Sequence, residues 1–126
     1  PMGISGTTNI MKVHLVGHVL VKGQGITNLQ ATANVCIANS TEMLMKSFKP
    51  GDIFVTKNVT GDMIGILKGA AGIVCEEEGT DNNGAVLGVA LDIPVITGAA
   101  GATQILKSGT TVTVDAEEGL VYGGVE

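Results

Sequence analysis

The residues of this chain that could do chemistry lie in a short loop between two apolar runs. Asp81, Asn82 and Asn83 follow a segment that resembles a strand and precede one that resembles a helix. In α/β proteins such loops often carry a nucleophile or a histidine that accepts a phosphoryl group. The amide of asparagine has no titratable nitrogen. The sequence therefore predicts a site without a reactive group, and no catalytic residue.

A second candidate site lies one strand further along the chain. Gly101, Ala102 and Thr103 stand between a strand and a helix, where backbone N–H groups can bind an anion. The Walker pattern with its lysine is missing, so a plain connection is the alternative interpretation. The same two interpretations apply to Asn83–Gly84, at the start of the preceding helix.

Acidic, histidine and cysteine residues are interpreted as structural, and no metal site is predicted. Glu76–Glu78 could hold a cation, but consecutive carboxylates point different ways, which favours a solvated strand end. His14 and His18 lie in a segment that alternates like a strand, which favours ordinary strand histidines. Cys36 and Cys75 fall inside apolar runs, which predicts buried free thiols in a reducing compartment.

Composition excludes several classes of function. The 126 residues suit one domain, and 44% of them are hydrophobic, which argues against disorder. The net charge is −5, and all seven basic residues are lysine. Without arginine, and with only one Tyr, two Phe and no Trp, the chain is not expected to bind nucleic acid. No signal peptide or membrane span is predicted, so we expect a cytoplasmic protein.

The elements that must position these sites alternate between strands and helices. Gly23–Asn28 is predicted to be a turn. Asn39, with Glu42 three residues later, is predicted to cap a short helix. Predicted strands cover residues 31–38, 53–56, 71–76 and 93–97, helices 62–70, 84–92 and 102–109, and a closing β-hairpin 110–116 with 120–124. This order predicts an α/β fold with a mainly parallel core sheet, flanking helices and a C-terminal hairpin.

Most of the chain resembles a known domain family. The strand "DIPVITG" (residues 92–98) and the hairpin pattern "GxxVTVDAxxGxVY" (residues 109–122) are similar to the mobile, phosphohistidine-type domain of enzymes that use phosphoenolpyruvate. The resemblance implies a swivelling β/β/α domain. In that family a histidine accepts the phosphoryl group, and the matching position here is Asn83. The resemblance therefore implies a degenerate site at Asn83, with Asp81 and Asn82 before it.

The first residues carry a second resemblance. "GISGTTNIMKVHLVG" (residues 3–17) looks like the end of the effector-binding domain of pyruvate kinase, after which some bacterial pyruvate kinases carry an extra domain of the mobile type. The resemblance divides the chain into residues 1–16, from the effector-binding domain, and residues 17–126, the mobile domain. Ser5, Thr7 and Thr8 then match an effector loop, whose other partners would lie outside this chain.

Together the two resemblances imply a C-terminal piece of a pyruvate kinase with a structural or regulatory role. The parent would transfer phosphoryl from phosphoenolpyruvate to ADP as a tetramer with magnesium and potassium. This piece would itself be inactive and need no cofactor. Its partners would be the rest of that chain and tetramer, with strand exchange between fragments through Met11–Val16. The alternative is a stand-alone swivelling domain that closes over another enzyme's active site.

Overall fold

The computed structural model describes residues 18–123. The candidate residues Ser5, Thr7 and Thr8 and the segment Met11–Val16 lie outside this range, so the effector loop, the strand exchange and the domain boundary stay predictions. The strands are β1 His18–Lys22, β2 Gln24–Gly25, β3 Gln30–Ile37, β4 Ile53–Thr56, β5 Gly72–Cys75, β6 Val95–Thr97, β7 Thr111–Asp115 and β8 Leu120–Gly123. The helices are α1 Thr41–Ser47, α2 Asn83–Leu91 and α3 Ala102–Ile105, with 3-10 turns at Gly61–Met63 and Ile66–Gly69.

The strands form a mixed sheet in the order β1-β8-β7-β3-β4-β5-β6-β2. The middle pairs, β3 with β4, β4 with β5 and β5 with β6, are parallel, which confirms the predicted parallel core. The pairs on either side are antiparallel, including the predicted hairpin of β7 and β8. β3 pairs with β7 on one side and β4 on the other, and so joins an antiparallel half to a parallel half.

Two apolar cores divide the molecule into three layers. Val35, Val55 and Val114 belong to the first core, which lies between the two halves of the sheet and also includes α3. Phe54, Ile73 and Leu87 belong to the second core, between the parallel strands and α1, α2 and the 3-10 turns. Every residue of β4, β5 and β6 is buried, because both faces of these strands are covered. The layering is the β/β/α arrangement that the resemblance implied.

The predicted turn at Gly23–Asn28 is wrong, because part of this segment is a strand. β2 pairs antiparallel with β6, and β1, just before it, pairs with β8 at the other end of the sheet. The N–H of Gly23, between the two, donates to the carbonyl of Gly119 at 2.9 Å. A single bent segment therefore connects both ends of the sheet, which a short-range pattern in the sequence does not reveal.

Three of the predicted helices differ from those observed, and the one predicted over 102–109 ends at Ile105. The cap of α1 is Ser40, whose hydroxyl accepts from the N–H of Met43 at 3.1 Å, and not Asn39. Asn39 accepts instead from the N–H of Lys57 at 3.3 Å. The predicted helix 62–70 is two separate 3-10 turns. Glycines at 61, 65 and 69 reduce helix propensity by about 1 kcal/mol each, which explains the interruption.

The topology brings the two candidate sites to one edge of the sheet. Because β4, β5 and β6 are parallel, the loops that follow them meet at the carboxyl end of the sheet, where α/β proteins usually bind their ligands. The loop after β5 leads to α2, and the loop after β6 leads to α3. Within residues 18–123, no helix has the length and apolar character needed to span a membrane.

Candidate functional site

The loop before α2 ends in a helix cap formed by its own asparagine. The side-chain oxygen of Asn82 accepts from the N–H of Ala85 at 2.9 Å. Its NH₂ group points back into the loop, toward the carbonyl oxygens of Glu77, Glu78 and Gly79 at 3.2–3.4 Å. Asn82 is thus the residue that caps α2, while its neighbour Asp81 is exposed.

The side chain of Asn83 links α2 to the loop after β4. Its NH₂ group donates to the carbonyl oxygen of Val59 at 2.9 Å. The residue is the first of α2 and is exposed to solvent. A primary amide at this point can donate and accept hydrogen bonds, but has no lone pair on nitrogen that could attack phosphorus. The geometry of Asn83 is thus that of a structural contact.

Several hydrogen bonds attach the same loop to the end of β6. The hydroxyl of Thr97, a buried side chain, donates to the carbonyl of Gly79 at 2.9 Å. The N–H of Gly98 donates to the carbonyl of Glu77 at 2.9 Å, and that of Ala99 to Cys75 at 3.0 Å. These bonds cross between neighbouring strands, so the loop has a fixed shape even though its tip is exposed.

Glu76 contributes to the second candidate site, one strand away. Its carboxylate oxygen Oε2 accepts from both the N–H of Thr103, at 2.8 Å, and the hydroxyl of Thr103, at 2.7 Å. The prediction that Glu76 belongs to a solvated strand end is wrong for this residue, which is only partly exposed. It holds for Glu77 and Glu78, which are exposed.

The electrostatics of Glu76 follow from this contact. The hydroxyl and then the N–H of Thr103 lower the pKa of Glu76 below its ordinary value, and nearby Lys57 lowers it further. Partial burial acts in the opposite direction but is weaker. The carboxylate is therefore charged at neutral pH, and lies at the start of α3, at the position predicted for an external anion.

The predicted anion site at Gly101, Ala102 and Thr103 is largely occupied by the chain itself. The N–H of Thr103 is bound to Glu76, and that of Ala102 donates to the carbonyl of Ala99 at 3.1 Å. Gly101 has a φ of +79°, in the left-handed region that favours glycine. An external anion at this position would have to displace a charged carboxylate, so anion binding here stays a prediction.

Both cysteines are buried free thiols, as predicted. Burial raises the pKa of Cys75 to about 12, with the charge of Glu77 adding to the effect. Burial, followed by the charge of Asp52, also raises the pKa of Cys36. Because the thiolate is the reactive form of cysteine, neither residue has the environment of a nucleophile at neutral pH.

A surface cavity of about 560 Å³ adjoins the same edge of the sheet. It is lined by Gly23, Gln24, Glu78, Gly79 and Gly98. Its lining brings together the start of β2, the loops after β5 and β6, and one acidic residue. Asn83 does not line it, so this cavity and the predicted phosphoryl-acceptor position are separate. Within residues 18–123, no three His, Cys, Asp or Glu side chains are grouped to hold a metal ion.

Sequence reasoning missed two contacts: the one between Glu76 and Thr103, and the hydrogen bond from the hydroxyl of Thr97 to the carbonyl of Gly79. Both depend on β5 and β6 being parallel neighbours. The available signal was an acidic residue at the end of one buried strand and a hydroxyl residue at the start of the helix after the next. In parallel sheets these positions meet at one edge.

Comparison with known proteins supports both resemblances. Residues 48–119 match the family described as "PEP-utilising enzyme, mobile domain". The chain is 46% identical over 123 residues to a pyruvate kinase of Bacillus licheniformis, and 40% identical over 124 residues to one of Geobacillus stearothermophilus. Each match covers 98% of this chain but 21% of the relative, so the chain spans about a fifth of the pyruvate kinases it matches.

Solved structures show the same fold at low sequence identity. The holo-form of aconitase X from Thermococcus kodakaraensis superposes with a TM-score of 0.64 at 24% identity, over 82% of this chain and 97% of that one. An NMR structure of an Enzyme I protein superposes with a TM-score of 0.55 at 23% identity, over 66% of this chain and 37% of that one.

Proposed function

This chain belongs to the family of mobile domains from PEP-utilising enzymes, and from that premise we propose that it is a non-catalytic C-terminal region of a pyruvate kinase. Its role is structural or regulatory, in a cytoplasmic enzyme that transfers phosphoryl from phosphoenolpyruvate to ADP in glycolysis. The observation that carries this proposal is the match to pyruvate kinases over 98% of the chain. The amides of Asn82 and Asn83 support it, because both make structural contacts.

The chemistry of the parent reaction is assigned to the rest of the parent chain. A phosphoryl-transfer site needs metal ligands and positive groups that stabilise the transferred phosphate. The sequence has no arginine. Within residues 18–123, the acidic side chains are not grouped with other His, Cys, Asp or Glu in sets of three that could hold a metal ion, which supports assigning the metal of the parent reaction to another part of the parent chain.

A labelling experiment tests whether the loop at Asn83 is inert. The chain is incubated with phosphoenolpyruvate labelled in its phosphoryl group, with and without a phosphotransfer donor enzyme, and is expected to remain unlabelled. Asn83→His is expected to remain unlabelled too, because a new acceptor brings no arginine to orient a donor. An acid-labile, base-stable phosphoryl group on the unchanged chain would contradict the proposal.

Enzyme assays test the remainder of the proposal. The isolated chain should give only background in a coupled assay with phosphoenolpyruvate, ADP, magnesium and potassium. The full parent enzyme is then compared with a version that lacks this region. Turnover should persist in the shortened enzyme, while tetramer stability or the response to effectors changes. Unchanged stability and unchanged regulation would contradict a structural or regulatory role.

A stand-alone swivelling domain is the second candidate. One observation favours it: the match to aconitase X covers 97% of that chain, so this fold also exists as a polypeptide of its own. That likeness concerns the fold alone. The gene that encodes this chain distinguishes the two candidates, because a catalytic barrel in the same reading frame would identify a pyruvate kinase and exclude a separate domain.

A further inference from the structure

The asparagine that replaces the phosphoryl acceptor is followed by glycine. Asn83 is the only one of the seven asparagines in the sequence with glycine as its next residue. Glycine has no Cβ to shield its backbone nitrogen, and asparagine is among the thermolabile residues of proteins. The other asparagines precede Ile, Leu, Val, Ser or Asn, whose side chains hinder approach to the following nitrogen.

We propose that Asn83 is a site of spontaneous deamidation, and that opening of the first turn of α2 controls its rate. In the reaction, the backbone nitrogen of Gly84 attacks Cγ of Asn83 and forms a five-membered succinimide ring. The bond between Cγ and the side-chain nitrogen breaks, and ammonia leaves. Water then opens the ring to give aspartate or isoaspartate. One water is consumed and one ammonia released, with no oxidation or reduction.

The folded structure slows this reaction. Asn83 is helical, and ring closure needs a backbone conformation that brings the nitrogen of Gly84 toward Cγ. Its amide is also held by the carbonyl of Val59 at 2.9 Å. The residue is nevertheless exposed and lies in the first turn, which depends on the cap formed by Asn82. First turns open locally at a lower free energy than the whole domain.

Close packing favours glycine at position 84, so the Asn83–Gly84 pair is part of the fold. A Cβ at position 84 would lie 3.3 Å from Cγ2 of Val59 and 3.4 Å from Sγ of Cys75. Both neighbours are buried, which leaves little room for a larger residue.

The product of the reaction differs in structure from the unmodified chain. An aspartate at 83 cannot donate to Val59, and an isoaspartate adds an atom to the backbone of the first turn.

The test compares two variants that each lose one helix cap. Asn82→Ala removes the cap of α2, and Ser40→Ala removes the equivalent cap of the distant α1. The full chain and both variants are incubated at mildly alkaline pH. Peptide mapping by mass spectrometry then follows the loss of the amide at 83. We expect Asn82→Ala to accelerate the reaction about fivefold, the factor that corresponds to a cap of about 1 kcal/mol. Ser40→Ala should leave the rate unchanged.

The other outcomes overturn the proposal. Equal acceleration by both variants would mean that the reaction proceeds through global unfolding. An intact Asn83 in the folded protein and in Asn82→Ala, under conditions that modify the chain in urea, would show that the first turn does not open. Modification mainly at another asparagine would show that the glycine does not select the site. Gly84→Ala tests the chemistry, and should slow the modification of the urea-unfolded chain.

Discussion

The two loops at the carboxyl edge of the sheet differ in how they provide hydrogen-bond acceptors for the first N–H groups of the helices that follow them. α2 is capped from within its own loop, by Asn82, whose side-chain oxygen accepts from the N–H of Ala85. α3 has no capping side chain of its own and is bound instead by Glu76, which lies 27 residues earlier in the chain. The cap of α2 is therefore a local contact, whereas the contact at the start of α3 is a tertiary one. The comparison shows that a glycine-containing loop before a helix, which suggests an anion site in a sequence, can be satisfied within the chain.

The two helices also differ in how they are anchored to the sheet. α2 has nine residues and packs closely on β5 and β6, whereas α3 has four, of which Ala102 is buried in the first core. If close packing dominates in α2, changes to its buried face should have a greater effect than changes to either cap.

The largest effect is expected from Gly88→Ala on the buried face of α2. The new Cβ would overlap Cγ2 of the fully buried Val95 and lie 2.9 Å from its Cβ, so helix and strand must separate. We expect the free energy of unfolding to fall by about 2–3 kcal/mol, measured by urea denaturation. Gly65→Ala is the control, because a Cβ there meets nothing within 4 Å. Equal effects of the two changes would mean that close packing does not anchor α2.

A smaller loss is expected from Glu76→Ala. It removes the acceptor of both hydrogen bonds from Thr103, and a bond to a charged group contributes about 1.5–3 kcal/mol when well buried. Because Glu76 is partly exposed, we expect a loss of about 1.5 kcal/mol in the free energy of unfolding. The matched control is Glu77→Ala, an exposed carboxylate of the same loop. A loss no greater than that of the control would mean that the tertiary contact between Glu76 and Thr103 does not stabilise the fold.

The contribution of Glu76 should depend on pH. Its pKa is lower in the folded than in the unfolded state, so the carboxylate stabilises the fold above the ordinary pKa of glutamate. That stability is lost as the pH falls through the folded pKa. The difference in unfolding free energy between the unchanged chain and Glu76→Ala should therefore be constant near neutral pH and shrink on acidification. A difference that grows on acidification would contradict the lowered pKa of Glu76 in the folded state.

The smallest of the four effects is expected from Asn82→Ala, at about 1 kcal/mol in the free energy of unfolding. The change removes the acceptor of the N–H of Ala85, while the tertiary contacts of α2 remain. Asp81→Ala is the control, because the adjacent Asp81 is exposed and Asn82 is the residue that caps α2. If Asp81→Ala had the greater effect, the local cap would have been assigned to the wrong residue.

Much of the architecture could be predicted because it depends on short-range patterns. Four-residue apolar runs such as Ile53–Thr56 are typical of strands covered on both faces, and the alternation at Thr111–Asp115 is typical of a hairpin. The cap of α1 was predicted to within one residue, at Asn39 instead of Ser40, since caps depend on neighbours along the chain. The family also followed from sequence, because its motifs lie in these same segments.

Two of the errors, at Gly23–Asn28 and at Glu76, fall where distant segments decide the structure. The sequence by itself determined the parallel core, the closing hairpin and the buried cysteines. Only the tertiary structure decided that Gln24–Gly25 pairs with β6, and that Glu76 binds Thr103. The physical reason is that hydrophobic periodicity and helix caps act between residues close in sequence. Strand pairing across the sheet, and contacts between successive loops at its carboxyl edge, depend on the order in which the strands assemble.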